Sequence, residues 1–372
     1  MHQKPSLNRQ FQFRLKRHII MPPKYIANIQ ILRFFAALLV TFAHMGVAIE
    51  DRDAGFRMIY PLDWGLGVDI FFVISGFIMY YLMNNRFQEP GVSRDFLKRR
   101  VLRIAPLYWL CTTLMLASIV AAGTLVNNNA IDLRHIAASY LFLPWQRTDG
   151  QTFPVLSLGW TLNYEMLFYL LFAVVLSMSR KTGLMVLVGA FSALMVAAAL
   201  APPSMWLLRF WGNSIIGEFL LGILLAMIFM RPARLAFFTS LALMVAGVTS
   251  AVCFYQTESY IYLPRLLTGG IPALLITSAI ILGPNAPASA PCKWLARAGD
   301  ASYALYLTHP FATTLVAIVG IKLGLPTILV FVTGIICSIV VAATVYVLFE
   351  KPFTKQAIGF FSKPTMKETA GA

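Results

Sequence analysis

Charge is scarce in this sequence. Asp, Glu, Lys and Arg make up 12% of the 372 residues, about half the share of a soluble domain. Acidic residues are the scarcer kind, 15 against 30 basic ones. Cysteine is rare and scattered, at 111, 253, 292 and 337, and no spacing suggests a disulfide framework or a metal site. Internal repeats are not evident, which counts modestly against transporter folds built from inverted repeats. What fills the chain instead is apolar: 59% of residues, with a mean hydropathy of +0.73. Such a chain cannot fold around one water-facing core and must place most of its apolar surface in lipid.

About ten apolar segments are long enough to span a bilayer, near 26–49, 64–83, 104–123, 156–179, 182–201, 211–230, 235–254, 266–283, 300–321 and 326–348. Several are interrupted by Gly or Pro, which neighbouring helices tolerate by rebuilding the lost hydrogen bonds. The expected fold is all-α, a multi-pass integral membrane protein. With the N-terminus in the cytoplasm, inside loops hold 22 of the 30 Lys and Arg and outside loops hold seven; Arg33 is left within a helix. That bias follows the positive-inside rule and sets both termini in the cytoplasm. It also accounts for most of the net charge of +15, so no nucleic-acid partner is needed; the basic loops face anionic membrane lipid. Residues 1–25 read as a basic cytoplasmic tail leading into an uncleaved first helix. The membrane domain runs over 26–353, and 354–372 form a second basic cytoplasmic tail. The longest outside connection, roughly 124–155, carries a short apolar run at 136–143 that suits a roof over the bundle.

Polar residues at membrane depth are the informative ones, because a charge at a helix centre costs about 2.5–3.5 kcal/mol even on lenient insertion scales. The stretch "IQILRFFAALLVTFAHMG" holds Arg33 and His44, eleven residues apart. At about 100° per residue they return to within roughly 20° of one stripe, about 16 Å apart along the axis. A cation near the inside thus shares a helix face with a group suited to proton transfer near neutral pH. In "DFLKRRVLRIAP", Arg100 and Arg103 are three apart, on one face that suits a phosphate; Lys98 and Arg99 read as topology anchors.

Three further clusters lie at depth. In "GVDIFFVISGF", Asp69 sits near the outer end of its helix at the depth of His44, where it either orients that imidazole or pairs with Arg33 or an outside arginine. In "SLGWTLNYEMLFYLLF", Glu165 lies mid-membrane with Trp160, Asn163 and Tyr164 around it. In "GDASYALYLTHPF", His309 lies mid-helix beneath Pro310, with Ser302, Tyr303 and Tyr306 nearby. Depth alone suggests that Glu165 pairs with His309. The bland alternative for each of these residues is glue between helices.

Taken in order, these stretches resemble the membrane-bound acyltransferase-3 family, whose members O-acylate sugars of bacterial surface glycans. Its basic-residue, ten-residue gap, histidine pattern is matched by Arg33 and His44, and its Arg-x-x-Arg pattern by Arg100 and Arg103. "GVDIFFVISGF", Trp160–Glu165, "SYALYLTHPF" and the closing "FEKPF" also fit, so the resemblance covers 26 to 353. The length resembles the exopolysaccharide-acetylating branch.

The resemblance implies a multi-pass protein of the bacterial inner membrane. It would move an acyl group, usually acetyl from acetyl-CoA as co-substrate, to a hydroxyl of a cell-surface or lipid-linked glycan, without a metal. It makes His44 the expected catalytic residue, with Asp69 as its partner, and gives Arg33, Arg100 and Arg103 to the acyl-CoA donor. Glu165, His309, Trp160, Tyr164 and Ser302 would support them. A transporter or flippase using the buried charges as a pathway is the main rival, and an anchoring subunit of a glycan-synthesis complex is another.

Overall fold

A computed structural model describes residues 25–122, 132–147, 149–232 and 234–362. The expected basic tails fall mostly outside these residues, as does part of the 124–155 connection. Among the described residues there is no strand, and the helices follow the apolar segments closely. They are α1 Ala27–Glu50, α2 Leu66–Met83, α3 Val92–Ala122, α4 Leu133–Tyr140, α5 Trp160–Val175, α6 Arg180–Leu200, α7 Trp206–Trp211, α8 Gly217–Phe229, α9 Phe237–Gln256, α10 Ile271–Leu282, α11 Ala290–Asp300, α12 Ser302–Lys322, α13 Thr327–Val345 and α14 Lys351–Ser362. Nine helical spans among the described residues are long and apolar enough to cross a membrane, and Leu266–Leu282 is a shorter apolar tenth. The protein is therefore an all-α, multi-pass membrane protein.

Small residues let the central helices approach. A Cβ at Gly76 of α2 would meet the backbone of Phe219 in α8, and one at Gly222 of α8 would meet the backbone of Val73 in α2. Backbones this close are how membrane helices gain contact where lipid supplies no hydrophobic drive between them. Phe72, Phe219 and Phe168 then stack in a row across α2, α8 and α5, with centroids 4.6 and 4.4 Å apart. The outer helices α6, α9 and α13 carry exposed Val188, Phe238, Val245 and Ile328, an apolar belt suited to lipid tails.

Two helices depart from the sequence reading. α3 is continuous from Val92, so its basic cluster lies within about three turns of helix that lead directly into the apolar segment. The apolar segment expected at 300–321 begins at Ser302, because Asp300 closes the separate amphipathic helix α11. α11 docks on the start of α1, where a Cβ at Gly299 would strike the backbone of Gln30. The apolar run at 136–143 forms α4 and its exit, and it is tied down on α3. Tyr108 donates to the Ser139 carbonyl at 3.0 Å, and Trp109 donates to the Tyr140 carbonyl at 2.9 Å.

Candidate functional site

One cavity gathers most of the membrane-depth polar residues. α1 contributes Arg33, α2 Ser75, α3 Arg100 and Arg103, α5 Thr161, Glu165 and Tyr169, and α12 Tyr303 and Tyr306. It holds about 770 Å³ of atom-free space, opening included. Helical spacing explains the convergence: Arg100 and Arg103 share a face of α3, and Glu165 and Tyr169 share a face of α5. Glu165 accepts hydrogen bonds from Ser75 Oγ at 3.1 Å and from the Tyr169 hydroxyl. Both bonds fall on Oε1, and the carboxylate also lies within the field of Arg33 and Arg100. Arg33 donates only to the Gln30 side chain, at 3.3 Å, and the buried Nε of Arg100 has no partner. Among the described residues none of the three guanidiniums forms an ion pair. The lining itself carries three cations and one carboxylate, a set suited to a polyanionic ligand, while Glu350 and Asp300 lie close enough to Arg33 and Arg103 to offset part of that charge.

His44 does not line this cavity. Its ring meets that of His309 edge-on, with centroids 4.9 Å apart. The pair lies beyond Tyr306, whose ring is 6.3 Å from His309 and whose hydroxyl shares a 2.9 Å hydrogen bond with Thr161. Tyr306 therefore stands between the arginine cavity and the two imidazoles. His44 Nδ1 lies 2.9 Å from the Val40 carbonyl, and His309 Nδ1 lies 3.0 Å from the Leu305 carbonyl. A carbonyl only accepts, so each Nδ1 carries the proton and each Nε2 keeps its lone pair. His309 is fully buried and its Nε2 has no partner; His44 is half-buried.

Other sequence-selected residues fall elsewhere. Glu165 and His309 are not a pair: Glu165 faces Ser75 and Tyr169, whereas His309 faces His44. Shared depth does not fix the rotation of two helices, and here they turn these side chains to different neighbours. Asp69 is not brought to His44. Its two oxygens take bonds of 2.8 and 3.0 Å from Arg265, the outside arginine the sequence left as an alternative, 196 residues away. The carbonyl of Val40 holds the imidazole instead. Buried Glu218 lies in the same Asp69–Arg265 cluster, with no hydrogen-bond partner at either oxygen. Tyr164 stacks on Phe210 at 4.8 Å and donates to its carbonyl, tying α5 to α7, and Trp160 meets Tyr164 edge-on at 5.9 Å within α5. Ser302 is fully buried with an unpartnered hydroxyl. The cavity residues that sequence reading does not select are Thr161, Tyr169 and Ser75; Tyr306 it places only beside His309. Tyr169 had a signal, four residues after Glu165; Ser75 and Thr161 carry none along the chain. Among the described residues no three His, Cys, Asp or Glu side chains stand together as metal ligands would.

Comparison with known proteins agrees with this architecture. An acyltransferase-domain family model matches residues 26–347. The exopolysaccharide production protein ExoZ of Rhizobium meliloti is 32% identical over 293 residues, 78% of this chain and 89% of ExoZ. YrhL of Bacillus subtilis, a candidate peptidoglycan O-acetyltransferase by name, is 25% identical over 91% of this chain and 56% of its own length. No solved structure matches. The match of nearly the whole membrane domain makes this chain a member of the acyltransferase-3 family.

Proposed function

We propose that this membrane acyltransferase is an O-acetyltransferase of the bacterial inner membrane, moving acetyl from cytoplasmic acetyl-CoA to a hydroxyl of an exopolysaccharide or other surface or lipid-linked glycan. One observation carries the reading: α1 holds a cationic cavity at one end and a pair of proton-accepting imidazoles towards the other, with Tyr306 between them. That order suits a donor with phosphates at one end and a thioester at the other. The family and the names of ExoZ and YrhL support acetyl transfer to a glycan. The positive-inside bias supports a cytoplasmic Arg33 end of α1, on the side where acyl-CoA is made.

In this scheme Arg33, Arg100 and Arg103 hold the diphosphate by charge-assisted hydrogen bonds. The uncharged pantetheine arm runs along α1, past Tyr306, towards His44. The glycan arrives from the opposite face. His44 Nε2 takes the proton from the acceptor hydroxyl as its oxygen attacks the thioester carbonyl. Collapse of the tetrahedral intermediate breaks the carbon–sulfur bond, and the imidazolium returns the proton to the departing thiolate. The Val40 carbonyl keeps Nδ1 protonated, so that Nε2 is the basic nitrogen in each cycle. A covalent acetyl-His44 relay is the mechanistic rival.

Purified protein in lipid nanodiscs, given labelled acetyl-CoA and a glycan acceptor, tests the assignment. His44→Ala is expected to lower transfer by about 10²–10⁴-fold, the contribution of a general base. An unchanged rate removes His44 from the chemistry. Glycan movement across the bilayer with no acetylation removes the enzyme reading itself.

A further inference from the structure

A second groove opens beside the arginine cavity, where α11 lies against the start of α1. It holds about 680 Å³ of atom-free space, open solvent included. Tyr25, Lys293, Arg297 and Asp300 line it. Lys293 and Arg297 are one turn apart on a single face of α11. Among the described residues neither has an acidic partner within ion-pair distance. Tyr25 feels both Arg297 of this groove and Arg33 of the cavity, and burial pushes its hydroxyl up. Burial also pushes the Asp300 carboxyl up, against the pull of Arg33, Arg103 and Lys351. The groove and the cavity are thus electrostatic neighbours.

We infer that this groove is a nucleotide subsite, in which Lys293 and Arg297 hold the 3′-phosphate of the acyl-CoA adenosine and Tyr25 lies against the adenine. The inference rests on the donor reading above and extends it to residues outside the cavity. The order along α1 supports it. α1 begins at Ala27, two residues after Tyr25; from there Arg33 lies about 9 Å along the axis, and His44 about 16 Å further. A donor stretched along this line puts its nucleotide at the groove, its diphosphate at the three arginines and its thioester towards His44. Chemistry at two stations matches: an aromatic ring and two cations for the phosphoadenosine, and guanidiniums for the diphosphate. Asp300 supplies an acceptor for the adenine amine or the ribose 2′-hydroxyl. A phosphate on an anionic lipid headgroup could meet the same two cations, so the test must separate the two sources.

The test compares acetyl-CoA with acetyl-3′-dephospho-CoA, using the full chain in nanodiscs of zwitterionic lipid. The wild type is expected to prefer acetyl-CoA by about tenfold to a hundredfold, through KM. Lys293→Ala/Arg297→Ala is expected to bring that preference close to one by raising KM for acetyl-CoA. Lys293→Arg/Arg297→Lys should keep the preference, which guards against loss of fold as the cause. Tyr25→Ala should weaken both donors alike. A wild type without preference overturns the subsite, and so does a double alanine variant that keeps it; either leaves the donor reading standing. A preference seen only when anionic lipid is present assigns the cations to the membrane and overturns the subsite too. Failure of the wild type to use either donor overturns the donor reading, and the subsite with it.

Discussion

Arg100→Met asks whether the arginine cavity is built for a ligand or only holds helices together. Arg100 reaches the cavity from α3 with its Nε buried and unpartnered, and its guanidinium lies over the Phe96 ring at 5.9 Å. Arg33 and Arg103 share the space, and the carboxylate present, Glu165, is engaged by Ser75 and Tyr169. Methionine keeps an unbranched stem of similar reach. In the free protein it removes a buried unsatisfied donor, a group that costs about 1–3 kcal/mol, and it relieves repulsion between like charges. It forfeits a cation–π contact of about 0.5–1 kcal/mol and the attraction of Arg100 to Tyr169 and Glu165. These terms oppose each other, so the free protein should change in stability by less than about 1 kcal/mol. With donor bound, the same change removes a charge-assisted contact to phosphate of about 2 kcal/mol, or roughly 30-fold in Kd. Binding is then lost without a matching loss of stability, which a purely structural arginine cannot produce. Thermal unfolding in nanodiscs without ligand measures the stability, and equilibrium binding of labelled acetyl-CoA measures the binding. A variant that loses stability while binding acetyl-CoA as tightly as the wild type would refute the reasoning and leave Arg100 an anchor.

Two other substitutions probe neighbouring features. Asp69→Asn removes the ion-pair partner of Arg265, leaving Glu218 and Asp63 nearby, and should cost about 1–3 kcal/mol, whereas Asp69→Leu with Arg265→Met should cost less, as a double-mutant cycle of unfolding would show. Folded Asp69→Asn protein should retain acetyl transfer; its specific loss would return Asp69 to a role at His44. Tyr306→Ala removes the ring between the cavity and the imidazoles, so acceptor-independent hydrolysis of acetyl-CoA should rise. Unchanged hydrolysis would mean that Tyr306 does not partition the two chambers.

Much of this could be read before any coordinates. Apolar run length predicts the helices because a bilayer admits few other structures, and ten apolar segments correspond to nine long helical spans and one short one. Arg33 and His44 lie on one helix, so a spacing of eleven is enough to give their shared face. Contacts between helices are another matter. Depth is legible from the sequence, but rotation about each axis is not. That is why Glu165 was matched with His309, while the imidazole that meets His309 belongs to α1. Asp69 likewise required a partner 196 residues away, chosen among several arginines at similar depth. α11 escaped notice for a different reason: eleven residues of amphipathic helix are too short to register among spans, yet they carry the cations of the second groove.

The two imidazoles allow the order of chemical events to be tested. Val40 occupies His44 Nδ1, so a single nitrogen of His44 is available for reaction. That nitrogen cannot carry an acetyl group and at the same moment deprotonate the acceptor. A relay through acetyl-His44 therefore needs a second base, and His309, 4.9 Å away with an unpartnered Nε2, is the one in place. Direct transfer needs no second base; His309 then acts by holding the His44 ring, and its loss slows the reaction without changing its course. His309→Ala separates the cases. In a relay it blocks deacylation but not acylation, so labelled acetyl-CoA alone would leave stable label on the protein at His44. In direct transfer neither wild type nor variant acquires label, and the variant only turns over more slowly. The direct course is the expected one. Acetyl-His44 recovered from His309→Ala by mass spectrometry of tryptic peptides would overturn it and make His309 the base of the second step.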